Sequence, residues 1–282
     1  MNDDLFQAVR TGAVSPQIAL ARMVLAGTLP AQDTLDALAA GLPAGSPVVT
    51  LADLARPRRE RLAALGAVAA KGLDPDGPDL LAATAALFDR LAAEEPEAAV
   101  AFYSLGDAGL LDAATAELLA VIRAWAPVAG AAVLDLGCGI GRVAIPLAHE
   151  AASVLGIDLS AAMVAHARER AGSLANVRFA VGNGRDLAGV GGASLDLVLA
   201  IDSFPYVVRA GAAVLDGLMA EIARVLRPGG RLLVFNWSYR GDIATDRDEA
   251  GQVGDRHGLA LDRAGETPFA IWDAAAFRLE RR

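Results

Sequence analysis

The stretch VLDLGCGIGR, residues 133–142, constrains this chain more than any other segment. It begins with a short apolar run of the kind found in buried strands. Three glycines then alternate at Gly137, Gly139 and Gly141, at the point where a strand would become a helix. Because glycine costs backbone entropy, such a turn requires a positive φ or a backbone that no side chain screens.

A parallel strand that leads into a helix through glycines is typical of a nucleotide or anion site, because the first N–H groups of the helix face outward. Two ligand classes fit this pattern: a dinucleotide, or a nucleoside with a charged tail. The dinucleotide fingerprint G-x-G-x-x-G requires glycine at position 142, which holds Arg142. The next apolar run ends in Asp158, where a carboxylate can bind both hydroxyls of a ribose.

From residue 112 onward, strand and helix patterns alternate. The apolar runs that predict strands are VLDLG, SVLGID, VRFAVG, SLDLVLAID and RLLVFNW. This alternation predicts parallel βαβ units and a sheet that is covered on both faces. The tail segments LALDRAGETPF and AAFRLERR predict two strands joined without a helix, and therefore an antiparallel edge.

The N-terminal part contains helix patterns without strand alternation. In SPQIALARMVLAG, Ser15 is the expected N-cap and Pro16 the first helical residue. We predict a helical cap region over residues 1–111 and a second domain over residues 112–282. Further expectations are a loop at LPAGSPVV, a helix from about Asp53 to Lys71, and a helix at GRVAIPLAHEA. The alanine-rich helix faces permit either a lid or a homodimer interface.

Taken together, the motifs of the second half resemble those of class I S-adenosylmethionine-dependent methyltransferases. VLDLGCGIGRVAIPLA and VLGIDLS are similar to the first two motifs of that family, and VRFAVGNGRDL is similar to the third. SLDLVLAIDSF and LRPGGRLLVFN resemble its fourth and fifth strands. The resemblance spans about Ala113 to Arg282. It implies a doubly wound α/β fold with a mostly parallel seven-stranded sheet and an antiparallel edge strand, and S-adenosyl-L-methionine as the cofactor.

The resemblance also implies roles for the residues of the glycine turn. The backbone from Gly137 through Cys138 to Gly139 would approach the methionine part of the cofactor. Asp135 would orient that loop or reach the amino group. Asp158 would bind the ribose hydroxyls. The Cys138 side chain is expected to be a small packing group rather than a nucleophile, because no base lies near it in the sequence.

Other cofactor contacts are implied at the adenine and at the opposite side of the ligand. Leu159 would pack on the adenine, and Gly184 would leave space beside it. Asn183 stands where the family usually has Asp; its carbonyl oxygen can still accept from the adenine amino group, although Asn-Gly is also a common turn pair. Ile201 would line the other side of the cofactor, and Tyr103, which precedes the core, would cover it.

The acceptor is expected beyond the fourth strand, where methyl transfer takes place in the family. Asp202 and Tyr206 are the catalytic candidates; Asp202 could orient an amine or accept a proton from a hydroxyl. Aromatic rings with a few polar groups suit a small organic substrate, although such rings could also pack against the cap. The substrate-binding candidates are Ser203, Phe204, Trp237, Tyr239 and Arg240.

Charge and composition exclude several other classes of function. A formal net charge of −9 argues against nucleic acid or an anionic membrane as the main partner. The scattered histidines and the single cysteine show no metal-ligand spacing, and no intrachain disulfide can form. The longest uncharged run, residues 37–52, is cut by glycine and proline, and no signal peptide is recognised. We expect a cytoplasmic protein.

The sequence therefore predicts S-adenosylmethionine-dependent methyl transfer to a nitrogen or oxygen of a small molecule by in-line displacement. One alternative is a methyltransferase that acts on a protein. Another is a non-catalytic nucleoside-binding regulatory protein, because a fold does not establish an activity. A nicotinamide dehydrogenase is disfavoured by Arg142.

Overall fold

The computed structural model describes residues 3–70, 79–94 and 102–282. The chain forms two compact units. The first comprises Met1–Asp74, Glu95–Ala116 and Phe269–Asp273, and the second comprises Pro75–Glu94, Glu117–Pro268 and Ala274–Arg282. Residues 75–94 thus group with the second unit, although the sequence predicts them within the cap region over residues 1–111.

The first unit is helical in its described part. Its helices are α1 (Asp3–Thr11), α2 (Pro16–Leu25), α3 (Gln32–Ala39), α4 (Pro47–Ala55) and α5 (Arg59–Ala69), with 3₁₀ turns at Arg56–Arg58 and Phe102–Ser104. The predicted cap of α2 is confirmed, because the Ser15 side chain accepts from the Ile18 N–H. Helix α4 replaces part of the predicted loop, since Pro47 stands at its first helical position. The predicted single helix over 53–71 is interrupted at Pro57, which has no N–H to donate.

The second unit contains a seven-stranded sheet. Its strands are β1 (Ala132–Leu136), β2 (Ser153–Asp158), β3 (Val177–Val181), β4 (Leu195–Ile201), β5 (Leu226–Phe235), β6 (Leu259–Glu266) and β7 (Ala276–Arg281). Seven further helices are described: α6 (Leu80–Glu94), α7 (Ala108–Trp125), which begins in the first unit, α8 (Ala144–Leu147), α9 (Ala161–Ala171), α10 (Phe204–Arg209), α11 (Ala212–Val225) and α12 (Ile243–Arg256).

The strand order β3-β2-β1-β4-β5-β7-β6 confirms the predicted doubly wound sheet. The first five strands in that order pair in parallel, whereas β7 runs antiparallel to both β5 and β6. The reversed strand is therefore one position in from the edge. Chain order changes direction between β1 and β4, and ligands of open α/β sheets bind at such a switch point, beyond the carboxyl ends of the strands.

Both faces of the sheet are buried, as the continuous apolar runs predict. On one face, Leu134, Val198 and Val234 pack in a cluster with residues of α10, α11 and α12. The alternate residues of the same strands, such as Val133, Leu199 and Phe235, are also buried. Strand periodicity accordingly directs successive side chains into two separate layers.

Three connections differ from the sequence prediction. The helix expected at GRVAIPLAHEA is reduced to the single turn α8, because Pro146 cannot donate an intrahelical hydrogen bond. Helices α10 and α12 were not predicted. In the described part of the chain, no helix combines the length and apolar character needed to cross a membrane.

Candidate functional site

The glycine turn occupies the switch point between β1 and β4. Gly137, Gly139 and Gly141 have φ values of 83°, 51° and 77°, so all three adopt a backbone that disfavours other residues. A Cβ on Gly137 would lie 2.4 Å from the Cβ of Ser203. The turn therefore needs glycine at position 137, both for its φ and for the close approach of the loop that follows β4 and contains Ser203 (the β4 loop).

Asp158 ends β2 directly beside this turn. Its Oδ2 accepts from the Gly139 N–H at 2.8 Å, and its Oδ1 accepts from the Ser160 N–H at 2.9 Å. The side chain is partly exposed, and a carboxylate has about four acceptor positions, so capacity remains for a ligand hydroxyl. Burial raises the pKa of Asp158, while the N–H groups of Ser160 and Gly139 oppose that rise and the charge of Asp89 adds to it.

Asp135 lies inside the protein beneath the turn and is only 2% exposed. Burial raises its pKa to about 7; the charge of Arg142 opposes this shift and that of Asp158 adds to it. The Asp135 carboxylate also accepts from the Ala144 N–H. This buried position favours the loop-orienting alternative for Asp135 over direct contact with a ligand.

The Cys138 side chain faces the interior, close to Gly156. It is 5% exposed, and burial together with the charges of Asp135 and Asp158 raises its thiol pKa well above the usual value. A neutral buried thiol is a poor nucleophile. In this structure the side chain of Cys138 packs, and its backbone N–H donates to the Ile157 carbonyl at 3.1 Å.

The predicted adenine end is formed by the loops after β2 and β3. The Asn183 Oδ1 accepts from the backbone N–H groups of Arg185 at 2.8 Å and Asp186 at 3.0 Å. The Asn183 amide thus caps its own loop, as the Asn-Gly turn alternative expects. Gly184 has a φ of 68° and is approached by the side chains of Leu159 and Leu81. Leu81, on α6, is a contact that sequence reasoning missed.

A polar cluster marks the carboxyl ends of β4 and β5. Asp202 and Asn236 both have positive φ values, 58° and 64°. The Asp202 Oδ1 accepts from the Asn236 Nδ2 at 2.8 Å and from the Tyr239 hydroxyl at 2.9 Å. The Asn236 Oδ1 in turn accepts from the Ala275 N–H at 3.3 Å. Asn236 was not predicted, although an asparagine directly after a strand can signal a left-handed residue.

Aromatic rings extend from this cluster. Tyr206 makes edge contacts with Tyr239, with centroids 6.1 Å apart, and with Phe88 of α6, 5.5 Å apart. Tyr239 is 54% exposed, and desolvation together with the charge of Asp202 raises its pKa well above the usual value. Ser203 donates from Oγ to the Leu136 carbonyl at 2.7 Å, which ties the β4 loop to β1.

Three residues that were predicted to contact the acceptor have other partners in the structure. Phe204 and Trp237 have no exposed surface; their ring centroids lie 5.1 Å apart in the core, and the Trp237 Nε1 donates to Glu249. The structure therefore corrects their expected role, since their large apolar rings are buried against α12 and the sheet instead of lining a crevice. Arg240 forms ion pairs with Asp246 and Glu249 of α12.

Two further residues, Ile201 and Tyr103, were predicted to contact the cofactor. Ile201, at the end of β4, is 9% exposed. Tyr103 lies in the first unit, where its ring stacks on Trp272 at 5.3 Å and is 5% exposed. Its predicted contact with the cofactor stays a prediction.

Comparison with known proteins agrees with this geometry. Residues 133–230, which run from β1 into β5, match the family model of a methyltransferase domain. These residues form a methyltransferase domain of the class I S-adenosylmethionine-dependent type. S-adenosylmethionine is accordingly the cofactor of this methyltransferase domain.

The matched relatives act on chemically different acceptors. Demethylmenaquinone methyltransferase of Tropheryma whipplei is 36% identical over 111 residues, which cover 39% of this chain and 44% of the relative. The 23S rRNA (uracil(1939)-C(5))-methyltransferase of Alkalilimnicola ehrlichii is 35% identical over 142 residues, 48% of this chain and 28% of the relative. The match thus spans less than half the length of each of these relatives.

A solved structure shares the fold of the methyltransferase domain. Phosphoethanolamine N-methyltransferase 1 of Haemonchus contortus, in complex with phosphoethanolamine and S-adenosylhomocysteine, superposes with a TM-score of 0.54 at 15% identity. The superposition covers 69% of this chain and 47% of that protein.

Proposed function

We propose that this chain transfers a methyl group from S-adenosylmethionine to a nitrogen or oxygen of a small-molecule acceptor by in-line displacement. One observation carries the proposal. The Asp158 carboxylate is held by the Gly139 and Ser160 N–H groups beside a turn of three positive-φ glycines. The Asp158 carboxylate can accept hydrogen bonds from the ribose of this cofactor. The glycine turn at the same edge of the sheet has no side chains that would keep the charged tail away.

Different residues of the chain bind different parts of the cofactor. Asp158 accepts from the ribose hydroxyls, and the backbone from Gly137 to Gly139 binds the methionine part. Leu159 and Gly184 border the adenine, and Ile201 lines the opposite side. When bound, the cofactor supplies a methyl group that its sulfonium already activates.

Asp202 is the candidate base for the acceptor. It lies where β4 ends, and its Oδ1 is fixed by the Asn236 amide and the Tyr239 hydroxyl. A hydroxyl or amine nucleophile would donate its proton to the Asp202 carboxylate as the new bond forms. Tyr206 and Tyr239 would present aromatic surface to the organic part of the acceptor, and their edge-to-face contact supports such a wall.

An RNA acceptor is the second candidate, because one matched relative methylates a carbon of uracil in 23S rRNA. The formal net charge of −9 opposes it, since RNA binding relies on neutralising phosphates with lysine and arginine. The aromatic pair Tyr206 and Tyr239 stands beside an acidic group instead of a basic one.

The acceptor class can be tested with S-adenosylmethionine that carries a labelled methyl group. The purified protein is incubated with the small-molecule fraction and, separately, with the RNA and protein fractions of a bacterial extract. We expect label in the small-molecule fraction, and loss of that label in Asp202→Asn. Label that appears in RNA and is released by ribonuclease would favour the second candidate and contradict the first.

A further inference from the structure

Helix α6 lies outside the matched methyltransferase segment but belongs to the same compact unit as the sheet. It supplies Asp89, whose Oδ1 accepts from the Ser160 hydroxyl at 2.6 Å and from the Ala162 N–H at 3.0 Å. The Ser160 Oγ itself accepts from the Met163 N–H at 3.0 Å. Two otherwise unpaired N–H groups in the first turn of α9 are thereby satisfied, one by its own cap and one by α6.

Ser160 connects Asp89 to the predicted ribose carboxylate. Its hydroxyl is held by Asp89 while its backbone N–H donates to the Asp158 Oδ1 at 2.9 Å. Ser160 has no exposed surface, so water cannot replace these partners without a change in packing. The orientation of the Asp158 carboxylate is therefore coupled to a residue that lies 71 positions before Ser160.

Asp89 also adds negative charge beside Asp158 and raises its pKa, together with the larger effect of burial. Other charged or titratable groups surround this point. The charge of Asp158 raises the pKa of Asp135 and of the Cys138 thiol, and the charge of Arg142 lowers the pKa of Asp135. Asp89 is the one of these groups that α6 contributes, so its charge can be removed without altering the glycine turn.

We propose that Asp89 is a positioning residue for cofactor binding, which holds Ser160 so that the Asp158 carboxylate faces the ribose, and whose charge shifts the pH range of that binding. This inference rests on the proposed function of Asp158. The approach of the Leu81 side chain to Gly184 supports it, because it brings the start of the same helix to the predicted adenine end.

Three substitutions separate hydrogen bonding from charge. Asp89→Asn keeps an oxygen that can accept from Ser160 and Ala162 but removes the charge. Asp89→Ala removes both, and Ala86→Gln alters an exposed position on the same helix as a control. The probe is S-adenosylhomocysteine, and its Kd is measured by calorimetry between pH 4.5 and 8.5 on the full chain.

At pH 8 we expect Asp89→Ala to weaken binding about tenfold, because the Asp158 carboxylate loses its fixed orientation. Asp89→Asn should bind within about twofold of the unchanged protein at pH 8. Its loss of affinity on acidification should begin at a lower pH, since without Asp89 the Asp158 carboxylate stays ionised further into acid. Ala86→Gln should match the unchanged protein throughout.

The inference is overturned if Asp89→Asn follows the unchanged protein at every pH. It is also overturned if a folded Asp89→Ala binds at pH 8 with unchanged Kd. If Asp89→Ala does not fold, the pH profile of Asp89→Asn still decides. Failure of the unchanged protein to bind S-adenosylhomocysteine at any pH would instead refute the proposed function.

Discussion

Asp202 and Asn236, at the ends of neighbouring strands, both have a left-handed backbone and are joined by a hydrogen bond of 2.8 Å. Such φ values are unfavourable for residues with a Cβ, although Asp and Asn tolerate them best. Strained residues of this kind cluster at functional sites. The bonded pair therefore supports a functional role for the carboxyl ends of β4 and β5.

Substitution of Asn236 should separate backbone strain from hydrogen bonding. We expect Asn236→Ala to lower the free energy of unfolding by about 2 kcal/mol, because the hydrogen bonds are lost and alanine tolerates a positive φ poorly. Asn236→Gly should cost about 1 kcal/mol less, because glycine relieves the strain. Urea denaturation measures both. Exposed Ala193, with a φ of 47°, is the matched control: Ala193→Gly should not destabilise. Equal stabilities for Asn236→Ala and Asn236→Gly would contradict this explanation.

The close contact between the glycine turn and the β4 loop predicts a steric effect. Gly130 and Gly137 have similar φ values, 72° and 83°, but only a Cβ on Gly137 would meet another residue. Gly130→Ala should therefore cost about 1 kcal/mol of unfolding free energy, and Gly137→Ala about 3 kcal/mol. Adding Ser203→Gly to Gly137→Ala should restore part of the loss. Equal losses of unfolding free energy for Gly130→Ala and Gly137→Ala in urea denaturation would show that the approach of Ser203 does not destabilise a side chain at position 137.

Burial of Asp135 predicts a dependence of stability on pH. Its pKa of about 7 in the folded protein exceeds the ordinary value of 3.8, so between these values the folded state holds a proton that the unfolded state has lost. This contribution to stability is present in full below pH 4 and is lost as pH rises to about 7.

Asp135→Asn lacks this titration. Its unfolding free energy should therefore rise relative to that of the unchanged protein between about pH 4 and pH 7, by at most about 1.4 kcal/mol per pH unit, and the difference should level off above that range. Urea denaturation of the two proteins at each pH gives the difference directly and cancels the titration of all other groups. A difference that is constant with pH would show that Arg142 keeps Asp135 ionised.

The hydrogen bond between Tyr239 and Asp202 predicts a change in the phenol. Desolvation and the carboxylate charge raise the pKa of Tyr239. In Asp202→Asn the charge is gone, so ionisation of Tyr239 should move to lower pH. Ultraviolet difference absorbance in alkaline solution follows the change, and Tyr239→Phe assigns the signal among the three tyrosines. An unchanged midpoint of the Tyr239 titration in Asp202→Asn would mean that the charge of Asp202 does not affect the pKa of Tyr239.

The sequence was most informative where the chain's local pattern determines the contact. The glycine turn and Asp158 belong to one βαβ unit, and the Asp158–Gly139 bond spans 19 positions. Apolar runs predicted the first five strands in chain order, because buried parallel strands carry continuous apolar residues, and the two tail segments predicted β6 and β7.

Contacts between distant elements were not predictable in this way. Asp89, Leu81 and Phe88 lie on an alanine-rich helix whose partners are 71 or more positions away, and no periodicity records which strand end a helix approaches. The burial of Trp237 was missed for a related reason: its ring packs on Phe204 and Phe277, from three separate segments. Local proline chemistry explains the remaining differences at α4 and α8.

The central claim, that Asp158 and the glycine turn bind S-adenosylmethionine, is tested most directly by calorimetry at pH 8. The purified chain is titrated with S-adenosylmethionine, S-adenosylhomocysteine and NAD, beside Asp158→Ala and a control, Asp248→Ala, which removes an exposed carboxylate of α12. We predict micromolar binding of the first two ligands and none of NAD. Asp158→Ala should lose about a hundredfold in affinity, as expected for charge-assisted hydrogen bonds, and Asp248→Ala should lose nothing. Unchanged affinity in Asp158→Ala, or no binding by the unchanged chain, would contradict the account.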